Sequence, residues 1–233
     1  MKLRVLDLFS GIGGFSLGLE RTGGFETVAF CEIEPFQRAV LAKHWPQVQC
    51  YQNISHLIHG DLTVLDRTII DVVTGGFPCQ PFSTASRGRR VAPDLWPDMF
   101  RVVSYLKPDY VIAENVSEHA IEVAASNLRG IGYAVTIRNI SGDDCGAPHG
   151  RSRWWAIAHP HEESEFQRAL DAEVAKLPEL CAGIWGAEAY ASAVRVSHGV
   201  PHRVHRVEGL GNAVIPQIPQ VIGRAILEAR SAA

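Results

Sequence analysis

Two side chains in this sequence combine reactive chemistry with a position at the end of an apolar run. The first is Cys79. The run Ile69-Ile70-Asp71-Val72-Val73-Thr74 predicts a buried strand, and Gly75-Gly76-Phe77-Pro78-Cys79-Gln80-Pro81-Phe82-Ser83 follows it. Paired glycines allow a tight turn and close approach of a ligand. Pro78 biases Phe77 toward extended backbone. The expected product is a rigid turn at a strand's carboxyl end with a thiol at its tip, where open α/β sheets bind ligands. A bare cysteine is more often a buried, inert thiol; it becomes a nucleophile where its thiolate is favoured. The second is Glu114, which ends the apolar run Pro108–Ala113 and opens Glu114-Asn115-Val116. One strand over from Cys79, it would face the same crevice. A helix-start charge is the competing reading, because Ser117 and Glu118 open the next helix. Arg151 and Arg153 alternate on an extended segment and so point to one face; a surface ion pair is their competing role.

The elements that must position these groups alternate strand and helix, which reads as α/β. Leu3–Phe9 predicts the first strand, Ser10–Gly14 a glycine turn, and Phe15–Thr22 a helix. That succession is the cofactor-cradling pattern of Rossmann-like folds, although Gly13 and Gly14 are adjacent rather than spaced as in the dinucleotide fingerprint. Thr27–Cys31 predicts the second strand. Glu32 at its end lies roughly 20 residues past the turn, placed to hydrogen-bond ribose hydroxyls. Helices are expected over Phe36–His44, Trp96–Leu106 and Ile218–Ala229, and strands over Gln49–Tyr51, Tyr133–Asn139 and Trp154–Ala158. The acid-rich stretch Glu162–Leu180 predicts a solvated helix.

With 233 residues, the chain can build one sizeable core and a small appendage. A formal net charge of −3 does not advertise nucleic-acid binding, so any such surface must be a local basic patch. Cys31, Cys50, Cys79, Cys145 and Cys181 show no paired spacing, which argues against a disulfide framework or zinc site and for a reducing cytosol. His198, His202 and His205 lack a completing acid or Cys, so no metal is expected. No membrane span or signal peptide is apparent, and a cytoplasmic location is expected.

Gly75–Ser83 resembles the catalytic loop of the cytosine-5 DNA methyltransferases, with Cys79 as nucleophile. Asp7-Leu8-Phe9-Ser10-Gly11-Ile12-Gly13-Gly14 resembles the same family's S-adenosylmethionine loop, Glu114-Asn115-Val116 its glutamate motif, and Gly209–Gln217 its last motif. Where the family has Gln-x-Arg-x-Arg, this chain has His149, Arg151 and Arg153. The resemblance implies a Rossmann-like, S-adenosylmethionine-dependent methyltransferase fold: a mostly parallel seven-stranded sheet with helices on both faces. Residues 1–160 and 208–233 would form the catalytic domain, and 161–207 a very small target-recognition region. The implied cofactor set is Asp7, Phe9, Ser10, Gly11, Gly13, Gly14, Glu32, Ile33, Asn53, Pro78, Leu95, Asn212 and Val214. Ile33 would lie on the adenine face. Asn53 and Asp61 are rival occupants of the adenine-contact slot. The implied catalytic set is Cys79, Glu114, Arg151 and Arg153, and the DNA contacts are Gln80, Ser83, Arg87, Arg89, Arg195, His202 and Arg203.

The chemistry so implied is covalent. Thiolate addition at cytosine carbon-6 makes carbon-5 nucleophilic toward the methyl of S-adenosylmethionine, which leaves as S-adenosylhomocysteine, with no metal. Glu114 would act at ring nitrogen 3 and Arg153 at the exocyclic oxygen. The base must first flip out of double-stranded DNA. The chain would act as a monomer in a bacterial or phage-infected cell, with a cognate restriction endonuclease as a candidate partner. Two alternatives stand beside this: the same chemistry on tRNA, or an inactive DNA-binding member of the family.

Overall fold

The computed structural model describes residues 1–59, 70–78, 93–147, 152–182 and 213–232. Seven strands form one sheet: β1 (Leu3–Leu8), β2 (Phe25–Cys31), β3 (Gln49–Tyr51), β4 (Val72–Gly76), β5 (Tyr110–Asn115), β6 (Ala134–Ile140) and β7 (Arg153–His159). Their spatial order is β3-β2-β1-β4-β5-β7-β6. β7 runs antiparallel to both neighbours, while the pairs from β3 through β5 are parallel. The order reverses between β1 and β4, which places the crevice of an open α/β sheet at their carboxyl ends. The predicted strands are all present within a few residues of their expected bounds.

Among the described residues the α-helices are α1 (Gly14–Glu20), α2 (Pro35–His44), α3 (Ile54–His59), α4 (Trp96–Leu106), α5 (Glu118–Gly130), α6 (Glu163–Val174), α7 (Leu177–Leu180) and α8 (Gln217–Ala232). The central strands are apolar on both sides, as a sheet covered by helices on both faces requires. Leu6, Leu8, Val73, Val111 and Ala113 point to one face, where they meet Met99, Val102 and Val103 of α4 and Ile121, Ala124 and Leu128 of α5. Val5, Val72, Ile112 and Ile157 point to the other, where Phe15 and Leu19 of α1 and Val221, Ile222 and Ile226 of α8 cover them. α8 thus returns the chain's last helix to the first. A Cβ on Gly18 would lie 2.1 Å from the Pro216 carbonyl oxygen, so the close seat of that segment on α1 needs glycine there.

One expectation is corrected. Glu162–Leu180 is not a solvated helix. Phe166, Leu170, Leu177 and the following Cys181 are buried in the second core, and Arg138 forks onto Asp171 at 2.8–3.1 Å to hold α6 on β6. The apolar residues of α6 recur at fourth positions, as in an amphipathic helix, and most of its acids face outward; Glu173 is the exception, buried and paired with Lys176 and Arg224. After β3 the chain turns directly into α3. Asn53 Oδ1 accepts from Ser55 N at 2.8 Å and begins α3.

Candidate active site

The first βα turn is built from below by Asp7. Its carboxylate is fully buried and accepts from Ser16 Oγ at 2.8 Å and Thr74 Oγ1 at 2.9 Å. It ties α1 and β4 to β1. Burial pushes its carboxyl up to about 7, against the lowering pull of the Ser16 and Thr74 hydrogen bonds. Asp7 therefore stands beneath the turn: it is fully buried, and each oxygen faces a donor inside the protein. Ser10 is similarly buried, its hydroxyl donating to Asp7 O at 2.5 Å. Phe9 (φ 52°) and Gly11 (φ 54°) are left-handed, which throws the turn outward. A Cβ on Gly11 would meet nothing within 4 Å, so its backbone faces open space. Gly13 is packed differently: a Cβ there would lie 2.7 Å from the Trp45 ring. Gly14 meets the Val214 carbonyl oxygen, and Val214 thereby walls the turn from the C-terminal side.

Glu32 closes the same turn from β2. One carboxylate oxygen accepts from Gly11 N at 2.7 Å and the other from Glu34 N at 2.8 Å. Each keeps a lone pair for a further donor. Beside it Ile33 is 62 % exposed, a large apolar side chain at the crevice rim. Asn53 caps α3 with the oxygen that the adenine role would have used. Its rival Asp61 lies outside the described residues.

At the next strand end, Glu114 is buried and Arg153 Nε lies 2.8 Å from its Oε1. The register pairs Gly76 with Glu114 and Glu114 with Trp155, so the three occupy one level across β4, β5 and β7. A Cβ on Gly76 would lie 2.7 Å from Glu114 Oε2. The glycine is required by the carboxylate beside it. Asn115, one residue on and facing the opposite side, donates from Nδ2 to Phe77 O at 2.8 Å. Leu95 N donates to Pro78 O at 3.1 Å. Phe77 packs on Trp96, whose Nε1 donates to Asn127 at 2.8 Å. The chain is thus anchored immediately before Cys79 and again at Leu95, just before α4. Leu95 serves as that tie, and Trp96 is core.

Of the expected catalytic residues, Glu114 and Arg153 are brought together, while Cys79 and Arg151 lie outside the described residues. So do Gln80, Ser83, Arg87, Arg89, Arg195, His202, Arg203 and Asn212. Burial raises the thiols of the four described cysteines, Cys31, Cys50, Cys145 and Cys181, with Cys31 and Cys145 pushed up to about 12. None is a thiolate near neutrality. Among the described residues no group of three His, Cys, Asp or Glu converges as for a metal, and no helix is long and apolar enough to cross a membrane. Sequence reasoning missed Gly76, Asn115 and Trp155. The triplet Glu114-Asn115-Val116 carried the signal for Asn115, whereas Gly76 and Trp155 announce themselves only through register.

Residues 3–192 match the family described as C-5 cytosine-specific DNA methylase. A Type II methyltransferase of Herpetosiphon aurantiacus, M.HgiBI, is 31 % identical over 189 residues, 76 % of this chain and 40 % of its own length. M1.HphI of Haemophilus parahaemolyticus, also a Type II methyltransferase, is 35 % identical over 168 residues, 66 % of this chain and 45 % of its own. The crystal structure of the S. pombe Dnmt2 methyltransferase superposes with a TM-score of 0.56 at 26 % identity, covering 68 % of this chain and 50 % of that one. The chain therefore spans about half or less of these relatives. The matched residues contain the glycine turn, the Cys79 loop, Glu114 and Arg153, and the chain belongs to the C-5 cytosine-specific DNA methylase family.

Proposed function

We propose that this chain is an S-adenosylmethionine-dependent DNA (cytosine-5) methyltransferase. The observation that carries the reading is the Glu114–Arg153 pair, 2.8 Å apart at the carboxyl end of β5, level with Gly76 and so three residues from Cys79. A carboxylate and a guanidinium held side by side match one edge of a cytosine. Glu114 suits ring nitrogen 3 and Arg153 the exocyclic oxygen. The cofactor cradle supports the same reading: open space at Gly11, the remaining lone pairs of Glu32 for ribose hydroxyls, and the exposed face of Ile33 for an adenine. When bound, S-adenosylmethionine supplies the methyl group.

The chain's own residues do the rest. Cys79, as thiolate, forms a bond to carbon-6 of a flipped cytosine, and the electron pair displaced moves toward nitrogen 3. Glu114, which takes up a proton from solvent as the base enters, shares it with that nitrogen, and Arg153 steadies the oxygen. After methylation, loss of the carbon-5 proton to a base expels the Cys79 sulfur and restores the ring. Because α6 and α7 belong to the core, we assign target recognition to residues 183–207 rather than to the whole of 161–207. Duplex DNA is the proposed substrate, bound by a single copy of the chain in the cytoplasm, with a restriction endonuclease as genetic partner.

The test is covalent trapping. A duplex bearing 5-fluorocytosine, offered with S-adenosylmethionine, should give a denaturation-resistant adduct through Cys79, and Cys79→Ser should give none while still binding cofactor. Methyl transfer to ordinary DNA without any adduct would refute the covalent mechanism. Transfer to tRNA alone would move the substrate.

A further inference from the structure

Trp155 lies on β7 directly opposite Glu114, on the same face of the sheet, and is buried. Its indole Nε1 finds no hydrogen-bond acceptor among the described residues. That is unusual, because buried indole N–H groups are normally satisfied, and a phenylalanine would fill the same layer without the desolvated donor. The small cavity beside it is lined by Glu114, Arg153, Trp155, Val214, Ile215 and Ile218. It has room for about one water molecule. A water there needs two or more polar partners, and the indole N–H and the Glu114 carboxylate are two. Of the remaining walls Arg153 is a donor already placed on Glu114 Oε1, and Val214, Ile215 and Ile218 are apolar, so none offers a competing acceptor side chain.

We propose that Trp155 is a positioning residue for Glu114, acting through a single bound water that accepts from the indole Nε1–H and donates to the carboxylate. The proposal rests on Glu114 being the group that meets the cytosine ring. Arg153 holds the Glu114 carboxylate at Oε1, and Gly76 leaves Oε2 its space. The water fixes the carboxylate plane from a third direction, so that the oxygen aimed at the ring does not swing as charge develops. Trp155 itself touches no substrate. Its other neighbour is Phe15, edge to face with ring centroids 5.6 Å apart, and an N–H donated to that ring is the competing arrangement.

A crystal structure that resolves ordered water decides the first half. Density within hydrogen-bonding distance of both Trp155 Nε1 and a Glu114 oxygen is expected. No water at that place, or the N–H directed onto the Phe15 ring, overturns the proposal. The second half is read by replacing Trp155 with β-(3-benzothienyl)alanine, which keeps the bicyclic shape and removes the donor, alongside Trp155→Phe. The isostere should melt with the parent and bind S-adenosylmethionine equally, yet slow single-turnover methyl transfer roughly 3- to 10-fold, the loss of about one ordinary hydrogen bond. A parental rate in the isostere overturns the positioning role. If the parent chain methylates nothing, the functional reading fails, while the crystallographic result still decides the water site.

Discussion

Asp7 makes the folded protein's stability depend on pH in the direction opposite to most paired carboxylates. In the folded chain its carboxyl titrates at about 7; in the unfolded chain it returns to the ordinary 3.8. Each pH unit between those values is worth about 1.4 kcal/mol, so ionising Asp7 in place costs about 4 kcal/mol as an upper bound. Below pH 4 both states hold the proton and there is no penalty. Between 4 and 7 the unfolded state releases its proton while the folded state keeps it, so stability falls as pH rises. Above 7 both are ionised and the loss is complete. Asp7→Asn removes this titration. The amide oxygen can still accept one hydroxyl, and Ser16 or Thr74 can turn to accept the amide N–H. The variant should match the parent near pH 4 and exceed it above pH 7 by up to about 4 kcal/mol, less whatever the re-paired hydrogen bonds lose. Urea unfolding of both proteins across pH 4–8.5 measures this, and the difference between them is the quantity to plot. Taking the difference cancels other groups, including Asp71. Burial would raise Asp71, but its bonds to Arg4 hold it below the ordinary value, giving the opposite slope. A difference that stays flat with pH would show that Asp7 is not the titrating group and would refute the reasoning.

Gly76→Ala should lower single-turnover methyl transfer by 10-fold or more with cofactor affinity unchanged, because a Cβ 2.7 Å from Glu114 Oε2 forces the carboxylate aside; calorimetry and quench kinetics separate the two effects, and an unaltered rate would remove Glu114 from the chemistry. Phe166→Ala should destabilise the whole fold by about 3–5 kcal/mol in a single unfolding transition. A separate early transition, or no change in the main one, would restore the view of α6 as an independent appendage.

The fold was legible where physics repeats. Buried runs such as Val72–Thr74 and Tyr110–Ala113, punctuated by glycine and followed by helical stretches, lead to a parallel sheet and to ligand chemistry at its carboxyl edge. The α6 helix was misread because its acids dominate the composition of the stretch, while the deciding residues are few. Phe166 and Leu170 recur at helical spacing and anchor it in the core. Asp7 was legible only in part, for a different reason. A carboxylate at a strand's end beside a glycine turn fits a ligand contact or a buried strut equally well, and only the positions of Ser16 and Thr74, the latter 67 residues away, distinguish them.

What remained hidden longest is the division of labour within Glu114-Asn115. Successive residues of a strand point to opposite faces. Glu114 therefore turns to the side of α1 and α8, where Arg153, Gly76 and Trp155 share its level. Asn115 turns to the side of α4, where its amide grips the Phe77 carbonyl two residues before Cys79. One residue presents the charge, and the next fixes the approach of the loop that bears the thiol. The two tasks fall to adjacent positions on the same strand end, because Arg153 meets Glu114 on one face and the Phe77 carbonyl meets Asn115 on the other. A shift of one residue in the β4–β5 register would exchange them, burying the carboxylate against Phe77 and pointing the amide at the cavity. The glycine at 76 is what admits the observed pairing. Only a residue without a Cβ leaves Glu114 Oε2 its place in the register observed, so the placement of this carboxylate and the pairing of β4 with β5 both depend on the glycine.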